Sequence, residues 1–203
     1  MRSLHWTGVL LAVVLSSFSS FAQTGASFIQ NRGQWPAAVT HRAELAGATV
    51  WLEKGAILVD RYDGAAVDAL IHAHVHPYQG FPEKNIRHHA LRLRFAGAND
   101  APIVESIGVR PGAFNFILGN DPAQWGRNCH AFSAVLQKDL YPGIDLRTRA
   151  GANGVKYDLI LGQGADPSAI LFSYEGADAI SFDPDRIVIR TSLGEISESI
   201  PLA

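Results

Sequence analysis

Turn residues cut this chain into pieces too short for most elements other than strands. After residue 22, runs of aliphatic, aromatic and β-branched residues are broken every few positions by Gly, Pro, Asn or Asp, and no long stretch keeps a helical period. Strands are predicted over residues 49–53, 56–62, 89–95, 113–118, 144–149, 155–161, 170–174, 186–191 and 195–200. Many short strands at close spacing specify an all-β domain, here an antiparallel two-sheet, β-sandwich-like fold. In Leu91-Arg92-Leu93-Arg94-Phe95 the apolar residues alternate, which turns one face to the core and both arginines away from it. Ile187-Val188-Ile189 lacks that alternation and is expected in a central strand buried on both sides. Asp183-Pro184-Asp185-Arg186 and Ser192-Leu193-Gly194 have the composition of hairpin connections. One or two short helical turns are expected where Asp121 precedes Pro122 and Asp166 precedes Pro167, since aspartate caps free amides and proline suits the first helical position. Residues 63–87 carry the weakest pattern and are expected as a long surface excursion.

The amino terminus is built differently. Arg2 and His5 precede an apolar stretch from Val9 to Leu15, and the run closes on Ser20-Phe21-Ala22. A basic end, a short apolar stretch and small residues at the −3 and −1 positions form a cleavable secretory signal. The stretch is well short of the roughly 20 residues that a spanning helix needs. Residues 1–22 are therefore expected as a leader and residues 23–203 as a single β-rich domain with no membrane span. Of the 17 Lys+Arg, loss of Arg2 leaves 16 against 19 Asp+Glu, a formal charge of −3. That balance gives no electrostatic reason to expect nucleic acid or an anionic membrane surface as partner. Cys129 stands alone, so it forms no intrachain disulfide; it is expected to be buried and inert or to pair with another chain.

Chemistry has one prominent candidate. In His72-Ala73-His74-Val75-His76 a strand would set His72, His74 and His76 on one face, about 6.5–7 Å apart, with His88, His89 and Glu83 following. Zinc or copper could bind such a set, although the spacing of a recognised metalloprotease motif is missing. The alternative is a solvated edge in a loosely patterned stretch. A glycosidase would need two facing carboxylates. Asp60 with Asp63, Asp139 with Asp145, and Asp158 with Glu175 are the available pairs, each of which also reads as turn or strand-end residues. Trp35, Trp51 and Tyr62 offer either a sugar-stacking platform or core filling, and burial habits favour the core. No residue is assigned as catalytic, and no cofactor is expected.

An ordered series of short segments carries a resemblance. It begins with Phe28-Ile29-Gln30-Asn31-Arg32-Gly33-Gln34-Trp35-Pro36, continues through Val50-Trp51-Leu52-Glu53 and Leu91-Arg92-Leu93-Arg94-Phe95-Ala96-Gly97-Ala98, and includes Phe114-Asn115-Phe116-Ile117-Leu118-Gly119-Asn120-Asp121-Pro122-Ala123-Gln124-Trp125. Leu140-Tyr141-Pro142-Gly143-Ile144-Asp145-Leu146, Tyr157-Asp158-Leu159-Ile160-Leu161, Gly164-Ala165-Asp166-Pro167, Phe172-Ser173-Tyr174-Glu175-Gly176-Ala177 and Thr191-Ser192-Leu193-Gly194-Glu195-Ile196 complete it. The series resembles the uncharacterised N-terminal domain of large secreted bacterial proteins that carry SBBP-type β-propeller repeats, PKD or Ig-like modules and a C-terminal type IX secretion, gliding-motility-associated sorting domain. The resemblance implies an exported module at the outer surface of a Gram-negative bacterium, noncatalytic, structural or adhesive, with no family active site to carry over. It implies partners among further modules of the same polypeptide beyond Ala203, or a surface glycan or protein ligand, and it makes the present chain an expected fragment of a longer product. A carbohydrate-binding or carbohydrate-active domain, and a metal-binding domain built on His72, His74 and His76, are the alternative expectations.

Overall fold

A computed structural model describes residues 26–75, 85–151 and 154–199, with the backbone alone for His74 and Val75. The leader read over residues 1–22 lies outside the described residues, as do His76 and Glu83. The strands in chain order are β1 (Phe28–Gln30), β2 (Val39–Leu45), β3 (Ala48–Glu53), β4 (Ala56–Tyr62), β5 (His88–Ala96), β6 (Ile103–Val109), β7 (Phe114–Phe116) and β8 (Gly126–Cys129). They continue as β9 (Ala131–Tyr141), β10 (Ile144–Gly151), β11 (Gly154–Leu161), β12 (Leu171–Glu175), β13 (Ala179–Phe182), β14 (Arg186–Thr191) and β15 (Gly194–Ser199). Ten of them form one antiparallel sheet in the order β11-β10-β9-β1-β2-β3-β4-β5-β12, with β6 added on β9; β13-β14-β15 and β7-β8 are separate small sheets.

One long strand turns this path into two layers. Leu136 of β9 faces Glu105 of β6 and Arg147 of β10, so β6 and β10 hold opposite edges of β9. Phe132 faces Val109 of β6 and Phe28 of β1, which puts β1 on the edge that β10 takes further along. The sheet therefore forks at β9. The branch running from β1 to β12 folds over the β10-β11 branch, and the Phe95 and Tyr157 rings meet edge to face with centroids 5.9 Å apart. Phe28, Val50, Leu52, Leu140, Ile144 and Leu146 fill the space between them. Each such fully buried apolar side chain contributes about 1.5–3 kcal/mol. The expected all-β, antiparallel, sandwich-like architecture is what the chain adopts.

Polar side chains lock the layers in register. Gln137 of β9 is 1% exposed, and its amide accepts from Gly55 N at 2.9 Å while donating to Glu53 O at 2.9 Å. It thereby ties the β3–β4 turn to the opposite branch. The Tyr141 hydroxyl lies 2.9 Å from both Ala96 O and Leu171 O, so the end of β9 is fastened to β5 and β12. The small β13-β14-β15 sheet covers the outer end of β5, with Ile187 and Ile189 on Leu91.

Local expectations hold in β5, where Leu91, Leu93 and Phe95 are buried and Arg92 and Arg94 are not. Both hairpins form: Phe182 pairs with Ile187 and Thr191 with Gly194. The two capped turns are 3-10 turns, Pro122–Gln124 and Pro167–Ala169, in which Asp121 and Asp166 accept from Ala123 N and Ser168 N. Two expectations are corrected. β14 is central in its sheet, yet only Ile187 and Ile189 are buried and Val188 is half-exposed, because one face of that sheet has no covering layer among the described residues. Residues 63–87 contain a helix, α1 (Gly64–Val75). Asp63 starts it by accepting from Ala66 N at 3.2 Å, and four alanines in twelve residues supply helix propensity that a search for apolar period does not register.

Candidate functional site

The helix changes what the histidine run can do. On a strand His72 and His74 would share a face, but on α1 the two positions lie about 200° apart around the axis. The strand geometry expected for His72 and His74 is corrected accordingly, and His76 and Glu83 fall outside the described residues. Among the described residues no group of three or more His, Cys, Asp or Glu is placed to hold a metal ion. His88 and His89 serve β5 instead. His88 Nδ1 is 3.1 Å from Asp60 Oδ1. The Ser192 amide donates to His89 Nδ1 at 3.2 Å, which places the ring proton on Nε2, 2.6 Å from the carbonyl of Gly176. That carbonyl belongs to a glycine at φ +87°, where a Cβ would lie 2.4 Å from Ala90 O, so the close approach of this turn to β5 requires glycine.

The carboxylates are engaged in similar work. Asp63 caps α1 and meets Arg87 at 3.1 Å, and these bonds hold its carboxyl below the usual carboxylate range. Asp145 accepts from the Asp139 amide at 2.8 Å, beside a backbone kink where Asp139 takes φ 52°. Asp158 on β11 pairs with Arg147 and Arg149, whereas Glu175 on β12 pairs with Arg92 and Arg94. Arg94 beside Glu175 is the main reason its carboxyl sits below the ordinary range. Asp158 and Glu175 each stand next in sequence to a tyrosine directed into the cavity, so alternation places them on the outer faces of their strands, each with its own arginines. Cys129 is a free thiol, fully buried, and burial pushes its pKa up.

Trp35 and Trp51 are half-buried rather than in the core. They stand edge to face at 5.6 Å, Phe116 of the β7–β8 hairpin packs on Trp35 at 5.3 Å, and the Arg42 guanidinium covers the Trp51 ring at 4.8 Å. Perpendicular rings under an arginine form a cross-strand plug, and they do not present a flat platform.

The feature that spacing did not reveal is a cavity of about 500 Å3 between the main sheet and the β13-β14-β15 sheet. Val50, Ile57, Leu93 and Ile189 line its apolar wall, and Tyr157, Tyr174 and Glu198 converge from β11, β12 and β15. Both phenols donate to the one carboxylate: Tyr157 to Oε1, and Tyr174 to Oε2 at 2.6 Å. Burial first, and the bond to Glu198 second, push both tyrosine pKa values well above the ordinary value. The phenols are thus fixed as donors and the carboxylate as acceptor. Arg61 and Tyr62 also line the cavity, with Arg61 Nη1 bonded to Glu195 O at 3.4 Å.

A protein-family model described as a domain of unknown function (DUF7948) matches residues 28–203. No curated protein and no solved structure matches the chain.

Proposed function

The chain belongs to the DUF7948 family, and from that premise we propose that it is a noncatalytic, structural or adhesive module of an exported, multidomain bacterial surface protein. One observation carries the noncatalytic part. The side chains best suited to acid–base chemistry are committed to holding elements together: Asp60 to His88, Asp63 to α1 and Arg87, Asp158 to Arg147 and Arg149, Glu175 to Arg92 and Arg94, and His89 to Gly176 and Ser192. Each is paired locally on the surface of the sheet, and none of these groups lines the cavity, so they are not gathered around a common space. The leader pattern of residues 1–22 supports export, and the resemblance to heads of modular surface proteins supports the remainder.

The test is genetic and biochemical together. In the source bacterium, deletion of residues 28–199 should abolish assembly or attachment of the surface protein, and a copy carrying D60N, D158N and E175Q should restore it once circular dichroism shows that it folds. A folded triple variant that fails to restore attachment would overturn the noncatalytic reading. N-terminal sequencing of the exported protein should begin at Gln23, and a cytoplasmic product that retains Met1 would overturn the export reading.

A further inference from the structure

The Tyr157–Glu198–Tyr174 cavity lies between the main sheet and the β13-β14-β15 sheet. Its volume, about 500 Å3, lies within the roughly 300–1,000 Å3 range of small-molecule sites, and its walls are aliphatic apart from a few convergent polar groups. A carboxylate placed among apolar side chains is costly unless something compensates its charge. Glu198 has two phenol donors for its two oxygens and forms no ion pair with any described residue. The cation lining the same cavity, Arg61, is turned to the carbonyl of Glu195. The Glu198 carboxylate is therefore met by hydrogen bonds, with no salt bridge to a described residue.

At the Tyr157–Glu198–Tyr174 cluster itself the remaining hydrogen-bonding capacity is of one kind, while Arg61 elsewhere in the lining keeps free N–H donors. With their protons given to Glu198, both phenol oxygens keep only lone pairs, and each carboxylate oxygen can accept at least one more bond. The cluster offers acceptors and negative charge, with the Tyr157 and Tyr174 side chains beside the carboxylate. We propose that this cavity binds a small organic cation, an ammonium group on an aliphatic body, with Glu198 as counter-ion and Tyr157 and Tyr174 as further acceptors. This goes beyond the reading of the domain as a structural or adhesive module and does not depend on it.

The full chain is titrated with three probes of one size, hexylammonium, hexanol and hexanoate, by calorimetry and by NMR of tyrosine ring signals. Hexylammonium is expected to bind saturably and to shift the Tyr157 and Tyr174 signals, with hexanol weaker by about tenfold or more and hexanoate weaker still. E198Q should reduce hexylammonium affinity by about tenfold or more while leaving hexanol unchanged, and Y174F should give a smaller loss. Equal affinity for the three wild-type probes, tighter binding of hexanoate through Arg61, or no saturable shift with any probe would each overturn the proposal. The wild-type series decides the matter even if E198Q does not fold.

Discussion

Acid should weaken this fold through His41, and the effect can be isolated. His41 of β2 is 4% exposed, packs edge to face on Phe132, and places Nε2 2.9 Å from the Ser106 hydroxyl, while its Nδ1 has no partner. No carboxylate compensates a proton there, and burial lowers the pKa from 6.5 to about 4. The neutral ring belongs to the folded state, whereas the unfolded chain takes up a proton at the ordinary value. The contribution is complete above about pH 6.5, is lost progressively as pH falls toward about 4, and is flat below. A gap of roughly 2.5 pH units at 1.36 kcal/mol each gives about 3 kcal/mol. The assay is urea unfolding of wild type and H41Q at several pH values from about 7.5 to 4. H41Q keeps a polar group for Ser106 but has nothing to titrate, and the other ionisable groups cancel in the difference. The stability difference between the two proteins should be constant above about pH 7 and move in favour of H41Q by about 3 kcal/mol by about pH 4. Parallel curves over the whole range would refute the reasoning and show that protonated His41 finds water or a partner in the folded state.

Replacement of Gln137 by Met should cost about 2–4 kcal/mol in urea unfolding, because the Gly55 amide and the Glu53 carbonyl both lose their partner; a loss under about 1 kcal/mol would mean that water satisfies them. G176A should lower stability by about 2 kcal/mol or more, since the added methyl meets Ala90 O at 2.4 Å in a backbone conformation that favours glycine, and a neutral melting temperature would contradict that contact. Cys129 should react with a thiol reagent only at the rate of global unfolding, and fast labelling of the native protein would show that its burial is not maintained in solution.

Strands were legible where burial alternates with exposure in apolar and charged residues, as in β5, and illegible where the inward position is polar or the outward one apolar. In β2 the buried positions are Val39, His41 and Ala43, so a histidine interrupts the apolar phase. In β9 Gln137 occupies a fully buried position, and Asp139 bends the strand at positive φ. In β6 the exposed residues include Ile103, Ile107 and Val109, which blurs the distinction between faces. The helix α1 escaped for a related reason. Alanine favours helix without marking a face, and Ala73 is the buried side chain that the described part of α1 contributes.

The cavity was hidden because its three polar groups come from strands that only the folding over of the sheet brings together; Glu198 is 41 residues from Tyr157 and 24 from Tyr174. A signal was nevertheless present. In β15 the half-buried positions are Ile196 and Glu198, so the glutamate stands in phase with an apolar, inward-facing residue while Glu195, Ser197 and Ser199 face out. An inward carboxylate must find donors in the opposing layer or be too costly to keep. Tyr157 is likewise in phase with Val155 and Leu159, and Tyr174 with Phe172, so both phenols are directed inward by the same period. A polar residue in the apolar phase of a strand marks where two layers meet through hydrogen bonds. His41, Gln137 and Glu198 all obey that rule; in this chain it locates internal chemistry better than clusters of adjacent histidines or carboxylates, which the fold spends on α1 and on surface ion pairs.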